Sequence, residues 1–296
     1  MPVYKKIMAA QKKPDFFILG AAKCGTTSLH YYLNQHPEIY LSPVKEPCFF
    51  CDEFQIVKEE EQYLQLFDGV TTETAVGEAS HVYFTSPGTP ELLHRLFPDA
   101  RFILIFRHPA DRAYSLYHHM KRFGFETAKT FERALEIEEK RMHSVSFKEN
   151  CPQYMYNFLY FHSGLYGEQI ERYFSLFSRE RFHLLTLKQL QQDTQAEMEA
   201  IFRFLNVSES FSPQLEEKNK GMAARFPVVE KVLSSRRLVN FLSANSILKR
   251  IALGPVKKLF FSDIPPVRPE TRRHLASLYS NDLNLFQELT GLDLNE

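Results

Sequence analysis

The chain has 296 residues, of which 44% are hydrophobic and 24% charged, a composition typical of a folded globular protein and not of a disordered one. Its 36 Lys and Arg residues balance 36 Asp and Glu residues, so no net charge attracts the chain to nucleic acid. No apolar run approaches the roughly 20 residues that span a bilayer. No signal peptide is recognisable near the N-terminus, and we therefore expect a cytoplasmic protein.

Short apolar runs predict two strands, over residues 16–19 and 102–106. Continuous apolar runs of this length favour parallel strands that are covered on both faces. Two further strands are predicted, and helical periodicity lies between the strands. These strands cover 74–78 and 181–187, and the helices cover 27–36, 90–97, 112–122, 131–142, 166–177 and 194–205. The alternation predicts an α/β fold, a P-loop-like three-layer domain with a central parallel sheet flanked by helices.

The domain boundaries follow from the same patterns. We predict an N-terminal extension over 1–14 and a single domain over 15–296, closed by a helix that begins at Pro269. Residues 144–163 lack clean periodicity and are predicted as a loop with a short helix. Cys48 and Cys51 form a lone CxxC without the second ligand pair of a zinc site, so we expect ordinary reduced thiols, with a redox or metal role as the alternative.

The first predicted strand ends at Gly20 and runs through a turn of small residues into a helix. Backbone N–H groups converge at such a junction and the helix dipole adds positive charge, which predicts an anion site. A nucleoside-triphosphate-binding loop would place its lysine directly after Gly25, where this chain has Thr26. The lysine is instead Lys23, inside the turn, from where it reaches a bound phosphate from the other side. A Gly-Thr turn with a surface lysine is the alternative.

A second strand-to-helix junction follows residues 102–106. Pro109 ends the strand, which leaves Arg107 at its carboxyl end, where α/β sheets bind ligands. Ser115 lies one turn into the helix, so its hydroxyl can approach Arg107, and a guanidinium with a hydroxyl suits a second phosphate. A structural salt bridge is the alternative. Because Arg107 and not an acidic residue follows this strand, no carboxylate is in place for magnesium, and we predict a phosphorylated ligand bound without a metal.

Together these residues resemble the sulfotransferase family that uses 3′-phosphoadenosine 5′-phosphosulfate (PAPS), particularly its bacterial and heparan sulfate sulfotransferase-like branch. The similarity covers nearly the whole chain and includes 17–20 with Lys23, 25–29, 36–37, 45–47 with 49–50, 77–80, 107–115 and 269–271. It implies a phosphosulfate-binding loop formed by Lys23, Cys24, Gly25, Thr26, Thr27 and Ser28. It also implies that Arg107 and Ser115 hold the 3′-phosphate, with Lys220 and Arg225 as further candidate contacts. A solvated linker is the alternative for Lys220 and Arg225.

The resemblance also implies the catalytic groups of an in-line transfer without a metal. Glu46 lies where this branch has its general base, which takes the proton of the attacking hydroxyl. Lys23 would stabilise negative charge on the departing phosphate oxygen. A surface ion pair between Glu46 and Lys45 is the alternative for this carboxylate.

The chain departs from glycosaminoglycan-modifying relatives after the predicted strand at 74–78. Those relatives read Glu-Lys-Ser/Thr-Pro where this chain has Glu78-Ala79-Ser80-His81, and the missing lysine argues against a sulfated sugar polymer as the acceptor. Glu78 and His81 are candidate contacts of the acceptor, and His81 is also a candidate helper acid or base. A packed or solvent-facing histidine is the alternative.

Residues 225–258 carry eight basic residues and one acidic residue, interleaved with apolar ones. Three interpretations stay open: the solvated face of a packed helix, a lid over the acceptor within 225–262, and a peripheral contact with an anionic membrane. We predict a PAPS-dependent sulfotransferase that acts on a hydroxyl, or on an amine, of a small molecule, lipid or saccharide. The alternatives are a P-loop nucleotide kinase and a non-catalytic module that binds PAPS or another nucleotide.

Overall fold

The computed structural model describes residues 4–215, 222–224 and 261–294, and the chain divides into two compact units. Over the described residues, the first unit falls within Met1–His108, Leu165–Lys218 and Tyr279–Glu296, and the second within Pro109–Gly164 and Asn219–Leu278. The extension over 1–14 and the single domain over 15–296 stay predictions. None of the helices in these described ranges is long and apolar enough to cross a membrane.

A five-stranded parallel sheet forms the centre of the first unit. Its strands are β1 (Phe16–Gly20), β2 (Ile39–Leu41), β3 (Ala75–Ala79), β4 (Arg101–Phe106) and β5 (Phe182–Thr186), in the order β2-β3-β1-β4-β5. Because every pairing is parallel, the carboxyl ends of β1, β3 and β4 meet at one edge of the sheet. This is the edge at which open α/β sheets bind ligands. In the second unit, β6 (Met222–Ala224) pairs antiparallel with β7 (Phe261–Asp263).

Thirteen helices with described bounds accompany these strands. In chain order they are α1 (Lys5–Ala9), α2 (Thr26–Leu33), α3 (Glu60–Gln65), α4 (Val82–Thr85), α5 (Thr89–Leu96), α6 (Pro109–Arg122), α7 (Phe131–Glu136), α8 (Glu138–His143), α9 (Val145–Asn150), α10 (Tyr166–Phe174), α11 (Leu187–Gln192), α12 (Thr194–Leu205) and α13 (Pro269–Thr290). Short 3-10 turns cover Met155–Phe158, His162–Gly164 and Arg179–Arg181. The predicted central parallel sheet flanked by helices is confirmed.

Several elements differ from the sequence prediction. The helix predicted over 131–142 is two helices, α7 and α8, that meet at Ile137, and the helix predicted from 112 begins at Pro109. The predicted loop with a short helix at 144–163 is confirmed, with α9 as the helix. The patterns missed β2, which has three residues, and the short helices α1, α3, α4 and α11, because four to six residues are too few to establish a period.

Aromatic rings fill the core of the first unit. The Phe17 ring lies 5.2 Å from that of Phe97, and the Phe102 ring lies 4.7 Å from that of Phe177. Phe16 in β1 pairs with Gly77 in β3, where a Cβ would lie 2.3 Å from the Phe16 ring. β1 and β3 can therefore pair closely only with glycine at position 77, and this pairing places the loop after β1 beside the loop after β3.

A buried ion pair anchors the second unit. The Glu126 carboxylate accepts hydrogen bonds from Arg141 at 2.7 and 2.8 Å, from the Tyr160 hydroxyl at 2.7 Å and from the Ala128 N–H at 2.6 Å. The Glu126 side chain is fully buried. Burial works to raise the pKa of Glu126, but the Arg141 and Tyr160 hydrogen bonds outweigh it and hold that pKa below its ordinary value. Removing one partner would leave a buried charge uncompensated.

Candidate active site

The loop between β1 and α2 has the backbone of an anion-binding turn. Lys23 and Gly25 have φ values of 65° and 105°, in the left-handed region. The Ala21 N–H donates to the Ile105 carbonyl of β4 at 2.8 Å, which keeps the loop against the carboxyl edge of the sheet. Gly25 is the N-cap residue of α2, and the N–H groups of the first turn of a helix point out from its N-terminal end. The turn therefore presents the positive end of a helix beside a lysine.

Gly25 occupies a position at which a larger residue would be strained. A Cβ there would lie 2.9 Å from Leu187 Cδ1 and 3.4 Å from Ile105 Cδ1. The positive φ of Gly25 also costs a residue with a side chain about 1–2 kcal/mol. Both constraints explain why the turn carries glycine at this point.

The predicted loop residues differ in what they can offer a ligand. The side chains of Lys23, Thr27 and Ser28 are half-buried, whereas Thr26 and Cys24 are buried. The Cys24 thiol lies 3.5 Å from the Tyr166 hydroxyl in the interior, so Cys24 can contribute its main chain only. One ammonium group, two accessible hydroxyls and a helix N-terminus form a donor set that fits a phosphate or phosphosulfate group.

A second group of polar side chains surrounds Glu46. Its Oε1 lies 2.6 Å from Lys45 Nζ, and its Oε2 accepts from the His81 N–H at 2.9 Å and lies 2.6 Å from His81 Nδ1. The Glu46 N–H donates to the Ala79 carbonyl at 2.9 Å, so the end of β3 fixes the main chain of Glu46. The ion pair with Lys45, which was the alternative for this carboxylate, is therefore present, and the role of Glu46 as general base stays a prediction.

The neighbours of Glu46 favour its ionised form. Burial works to raise the pKa of Glu46, but His81 and then Lys45 outweigh it and hold that pKa well below its usual range. The side chains of Lys45, Glu46 and His81 are each about one-quarter exposed, at 26%, 24% and 23%. Glu46 is thus a carboxylate that a ligand can approach, and both of its oxygens already accept hydrogen bonds or ion-pair contacts.

Lys45, Glu46 and His81, here called the Glu46 group, lie beside the loop between β1 and α2, here called the Lys23 loop. The Ser80 N–H donates to the Ile18 carbonyl of β1 at 3.2 Å, and a Cβ at Gly20 would lie 3.7 Å from the His81 carbonyl oxygen. His30, on α2, is close enough that Lys45 adds to burial in lowering its pKa to about 4, while Glu46 opposes this shift. The structure therefore brings the predicted Lys23 loop and the predicted Glu46 and His81 to the same part of the sheet edge.

Glu78 lies in the protein interior within β3. Its side chain is fully buried, and neither of its carboxylate oxygens has a hydrogen-bond partner of ordinary geometry in the described structure. Burial raises the pKa of Glu78 to about 8, the nearby Tyr83 hydroxyl opposes this shift, and Glu46 adds to it. Glu78 is therefore mostly protonated near neutral pH. The predicted contact of Glu78 with an acceptor stays a prediction, and its burial argues against it.

The remaining predicted ligand contacts lie on separate elements. Arg107 follows β4 at the carboxyl edge of the first unit, and Ser115 lies on α6 of the second unit. The predicted contacts Lys220 and Arg225 fall outside the described residues, as does the basic segment 225–258. The roles predicted for these residues stay predictions.

The CxxC cysteines are embedded thiols. Burial raises the pKa of Cys48 far above its ordinary value and that of Cys51 to about 12. The Cys51 thiol donates to Glu53 Oε2 at 3.2 Å and the Cys48 thiol to the Glu46 carbonyl at 3.2 Å. Reactive cysteines have lowered pKa values and access to solvent, so these properties favour the reduced structural thiols that the sequence predicts.

The sequence analysis named Lys45 only within the motif at 45–47 and as an ion-pair partner of Glu46, and it did not name His30. No sequence signal was available for His30, because its distance from Glu46 depends on how α2 packs. Among the described residues, no group of His, Cys, Asp and Glu side chains has the arrangement of a metal site.

Comparison with known proteins identifies the family. A family model described as "Sulfotransferase domain" matches residues 13–238. Carbohydrate sulfotransferase 15 of Mus musculus is 26% identical over 272 residues, covering 72% of this chain and 46% of that protein. Bifunctional heparan sulfate N-deacetylase/N-sulfotransferase 2 of Homo sapiens is 26% identical over 217 residues, covering 70% of this chain and 23% of that protein. This chain thus spans less than half the length of these two relatives.

Solved structures agree with this result. A sulfotransferase from Alicyclobacillus acidocaldarius is 30% identical with a TM-score of 0.72, covering 95% of this chain and 97% of the other. Mouse sulfotransferase SULT7A1, solved in complex with PAP, shares the fold at 15% identity and a TM-score of 0.50, covering 95% of this chain and 89% of the other. Because the family model covers well over half of the sequence, the chain belongs to the sulfotransferase domain family.

Proposed function

We propose that this protein transfers the sulfuryl group of PAPS to a hydroxyl, or to an amine, of a small molecule, lipid or saccharide. The observation that carries the proposal is the position of the Glu46 group beside the Lys23 loop, at the carboxyl edge of β1 and β3. A donor-binding turn and a proton-accepting group at one edge are what in-line transfer requires.

The loop residues would bind the donor substrate. PAPS, when bound, supplies the sulfuryl group and a phosphate leaving group. The N–H groups at the start of α2, with the hydroxyls of Thr27 and Ser28, would hold its 5′-phosphosulfate. Lys23 would neutralise the charge that grows on the departing phosphate oxygen. Arg107 and Ser115 are proposed for the 3′-phosphate, and Lys220 and Arg225 as further contacts.

Glu46 would act as the general base and accept the proton that the acceptor loses. An alcohol attacks sulfur poorly while it retains its proton, and a positioned base removes it as the new bond forms. No step requires a metal or a covalent intermediate on the protein.

Two observations bear on the identity of the acceptor. The names of the two curated relatives indicate carbohydrate and heparan sulfate substrates for those proteins, which favours a saccharide hydroxyl or amine here. Ala79 stands where glycosaminoglycan-modifying relatives have lysine, which argues against a highly sulfated polymer. A cytoplasmic location and a membrane or acceptor contact through 225–258 stay predictions.

The direct test is incubation with PAPS and a panel of aliphatic alcohols, phenols, amines and mono- and oligosaccharides. Formation of PAP and of a sulfated product, both followed by mass spectrometry, would support the proposal. PAP binding by calorimetry without transfer to any acceptor would favour the non-catalytic module. Phosphoryl transfer from ATP in a parallel assay would favour the kinase.

Matched lysine variants locate the donor site. Lys23→Ala should lower turnover by about 10²–10³-fold, the effect of losing one preorganised donor to a developing negative charge. Lys6→Ala is the control, because Lys6 forms an exposed ion pair with Glu61 and such pairs contribute little. Near wild-type turnover in Lys23→Ala would contradict the assigned role of Lys23.

A further inference from the structure

We infer that Ser80 is a positioning residue for sulfuryl transfer, which ties residues 46–50, here called the Glu46 loop, to the strand that leads into the Lys23 loop. This inference rests on the proposed function and on the general-base role proposed there for Glu46. Ser80 is 1% exposed, so it acts through the residues that it contacts and not on a substrate.

The hydrogen bonds of Ser80 reach in two directions. Its main-chain N–H donates to the Ile18 carbonyl at 3.2 Å, two residues before β1 ends. Its Oγ accepts from the Cys48 N–H at 3.1 Å, two residues after Glu46. One buried residue therefore joins the segment proposed to bind the donor to the segment proposed to accept the proton.

The Glu46 loop has a backbone that needs outside contacts to keep its shape. Glu46 and Cys48 have φ values of 65° and 53°, in the left-handed region that residues with a Cβ rarely adopt. Such conformations persist where the surrounding structure holds them. The Ala79 carbonyl accepts from the Glu46 N–H at 2.9 Å, and Ser80 Oγ holds Cys48. The two bonds fix the loop on either side of Pro47, which prevents it from turning about either bond alone.

Removing the Ser80 hydroxyl would take this acceptor away from the Cys48 N–H. Cys48 is 1% exposed, and a buried N–H without a partner is unfavourable. The loop would relieve this by moving Cys48, and Glu46 would move with it, because only Pro47 lies between them. A displacement of about 1 Å in a catalytic group can lower a rate by about 10²-fold.

The fold around the loop does not depend on this one bond. The Phe50 N–H donates to the Tyr83 hydroxyl at 3.2 Å, and the Phe50 ring lies 5.4 Å from that of Phe97 in the core. These contacts do not involve the hydroxyl of Ser80. We therefore expect Ser80→Ala to fold, with its change confined to the region of Cys48.

The first test is turnover of Ser80→Ala with PAPS and the best aliphatic alcohol of the acceptor panel. Turnover should fall by about 10- to 10²-fold, because Glu46 no longer lies in its productive place. PAP affinity by calorimetry should change by less than about threefold, because the altered bond lies outside the Lys23 loop.

Ser86→Ala is the matched control. Ser86 is also 1% exposed, and its Oγ donates to Glu53 at 2.9 Å, outside the Glu46 loop. This variant loses a buried serine hydrogen bond as Ser80→Ala does, but turnover should stay within about twofold of wild type.

A double-mutant cycle with Glu46→Gln separates positioning from a general loss of structure. Glu46→Gln alone should lower alcohol turnover by about 10²–10⁴-fold, the usual contribution of a general base. Adding Ser80→Ala to Glu46→Gln should lower turnover by less than about threefold more, because the base that Ser80 positions is already gone. A merely structural loss would act in both backgrounds, and the two effects would multiply.

Hydrogen exchange followed by mass spectrometry gives a measurement that does not depend on turnover. Peptides covering 46–50 should exchange at least about tenfold faster in Ser80→Ala than in wild type, because the Cys48 N–H loses its acceptor. Peptides covering β4 should exchange as they do in wild type.

Turnover of Ser80→Ala within about threefold of wild type would overturn the inference, since displacement of a catalytic group costs more than this. Multiplied effects in the cycle, unchanged turnover in Glu46→Gln, or faster exchange throughout Ser80→Ala would also overturn it. In each case wild-type transfer, and with it the proposed function, would stand. If wild-type protein transferred no sulfuryl group from PAPS to any acceptor, the proposed function would fail and the positioning role would fail with it.

Discussion

Gly25→Ala tests whether the geometry of the phosphate loop explains its sequence. Gly25 has a φ of 105°, which costs a residue with a Cβ about 1–2 kcal/mol. The new Cβ would also lie 2.9 Å from Leu187 Cδ1 and 3.4 Å from Ile105 Cδ1, and overpacking of this kind costs about 1–3 kcal/mol. The two effects together predict a loss of about 2–5 kcal/mol in the free energy of unfolding.

The assay is urea denaturation followed by circular dichroism, with calorimetric titration of PAP on the folded variant. PAP affinity should fall as well, because the strained residue lies in the loop proposed to hold the phosphosulfate. The double variant with Leu187→Ala should be more stable than the sum of the single effects predicts, since it removes the contact.

Two other glycines separate backbone strain from steric contact. Gly291→Ala should lose only about 1–2 kcal/mol, because Gly291 has a φ of 76° but no atom of the described residues, apart from its chain neighbours, lies within 4 Å of its added Cβ. Gly88→Ala should change stability by less than about 0.5 kcal/mol, because Gly88 has a φ of −86° and open space around it. If Gly25→Ala matched Gly88→Ala in stability and bound PAP as wild type does, the predicted strain and contact at Gly25 would be refuted.

Three further predictions concern buried groups. Glu78 keeps its proton in the folded chain up to a pKa of about 8 but loses it near 4.5 when unfolded, so wild-type stability should fall as the pH rises between these values. In Glu78→Gln the urea midpoint should fall less over this pH range than in wild type. Equal pH dependence of the two midpoints would contradict the raised pKa of Glu78. Glu126→Gln should lose about 3–5 kcal/mol in urea unfolding, while Glu136→Gln, in an exposed ion pair, should change by less than about 1 kcal/mol. Similar losses would show that burial of the pair is not decisive. Iodoacetamide at pH 8 should modify the half-buried Cys151 well before Cys51, whose pKa burial raises to about 12, and peptide mass spectrometry showing the reverse order would refute this.

Local sequence patterns were sufficient for the elements that define the fold class. The apolar runs of β1 and β4 are buried along their length. A continuous apolar run predicts a strand covered on both faces whatever its alignment with the neighbouring strands. The small-residue turn at 20–25 predicted an anion site because it joins a strand to a helix N-terminus, where backbone N–H groups converge, and because it carries a lysine. By contrast, β2 has only three residues, and its place at the sheet edge depends on pairing with β3.

The chemistry of the site depended on contacts between distant parts of the chain. Glu46 and His81 are 35 residues apart, and their 2.6 Å contact exists because the end of β3 holds the main chain of Glu46. The burial of Glu78 also depends on distant parts of the chain: the sequence predicts an acceptor contact, but the Glu78 side chain is fully buried in β3. The sequence by itself determined which groups were present and which local turns could bind an anion. Only the tertiary structure decided their partners, burial and protonation, because those properties depend on what surrounds a group in space and not along the chain.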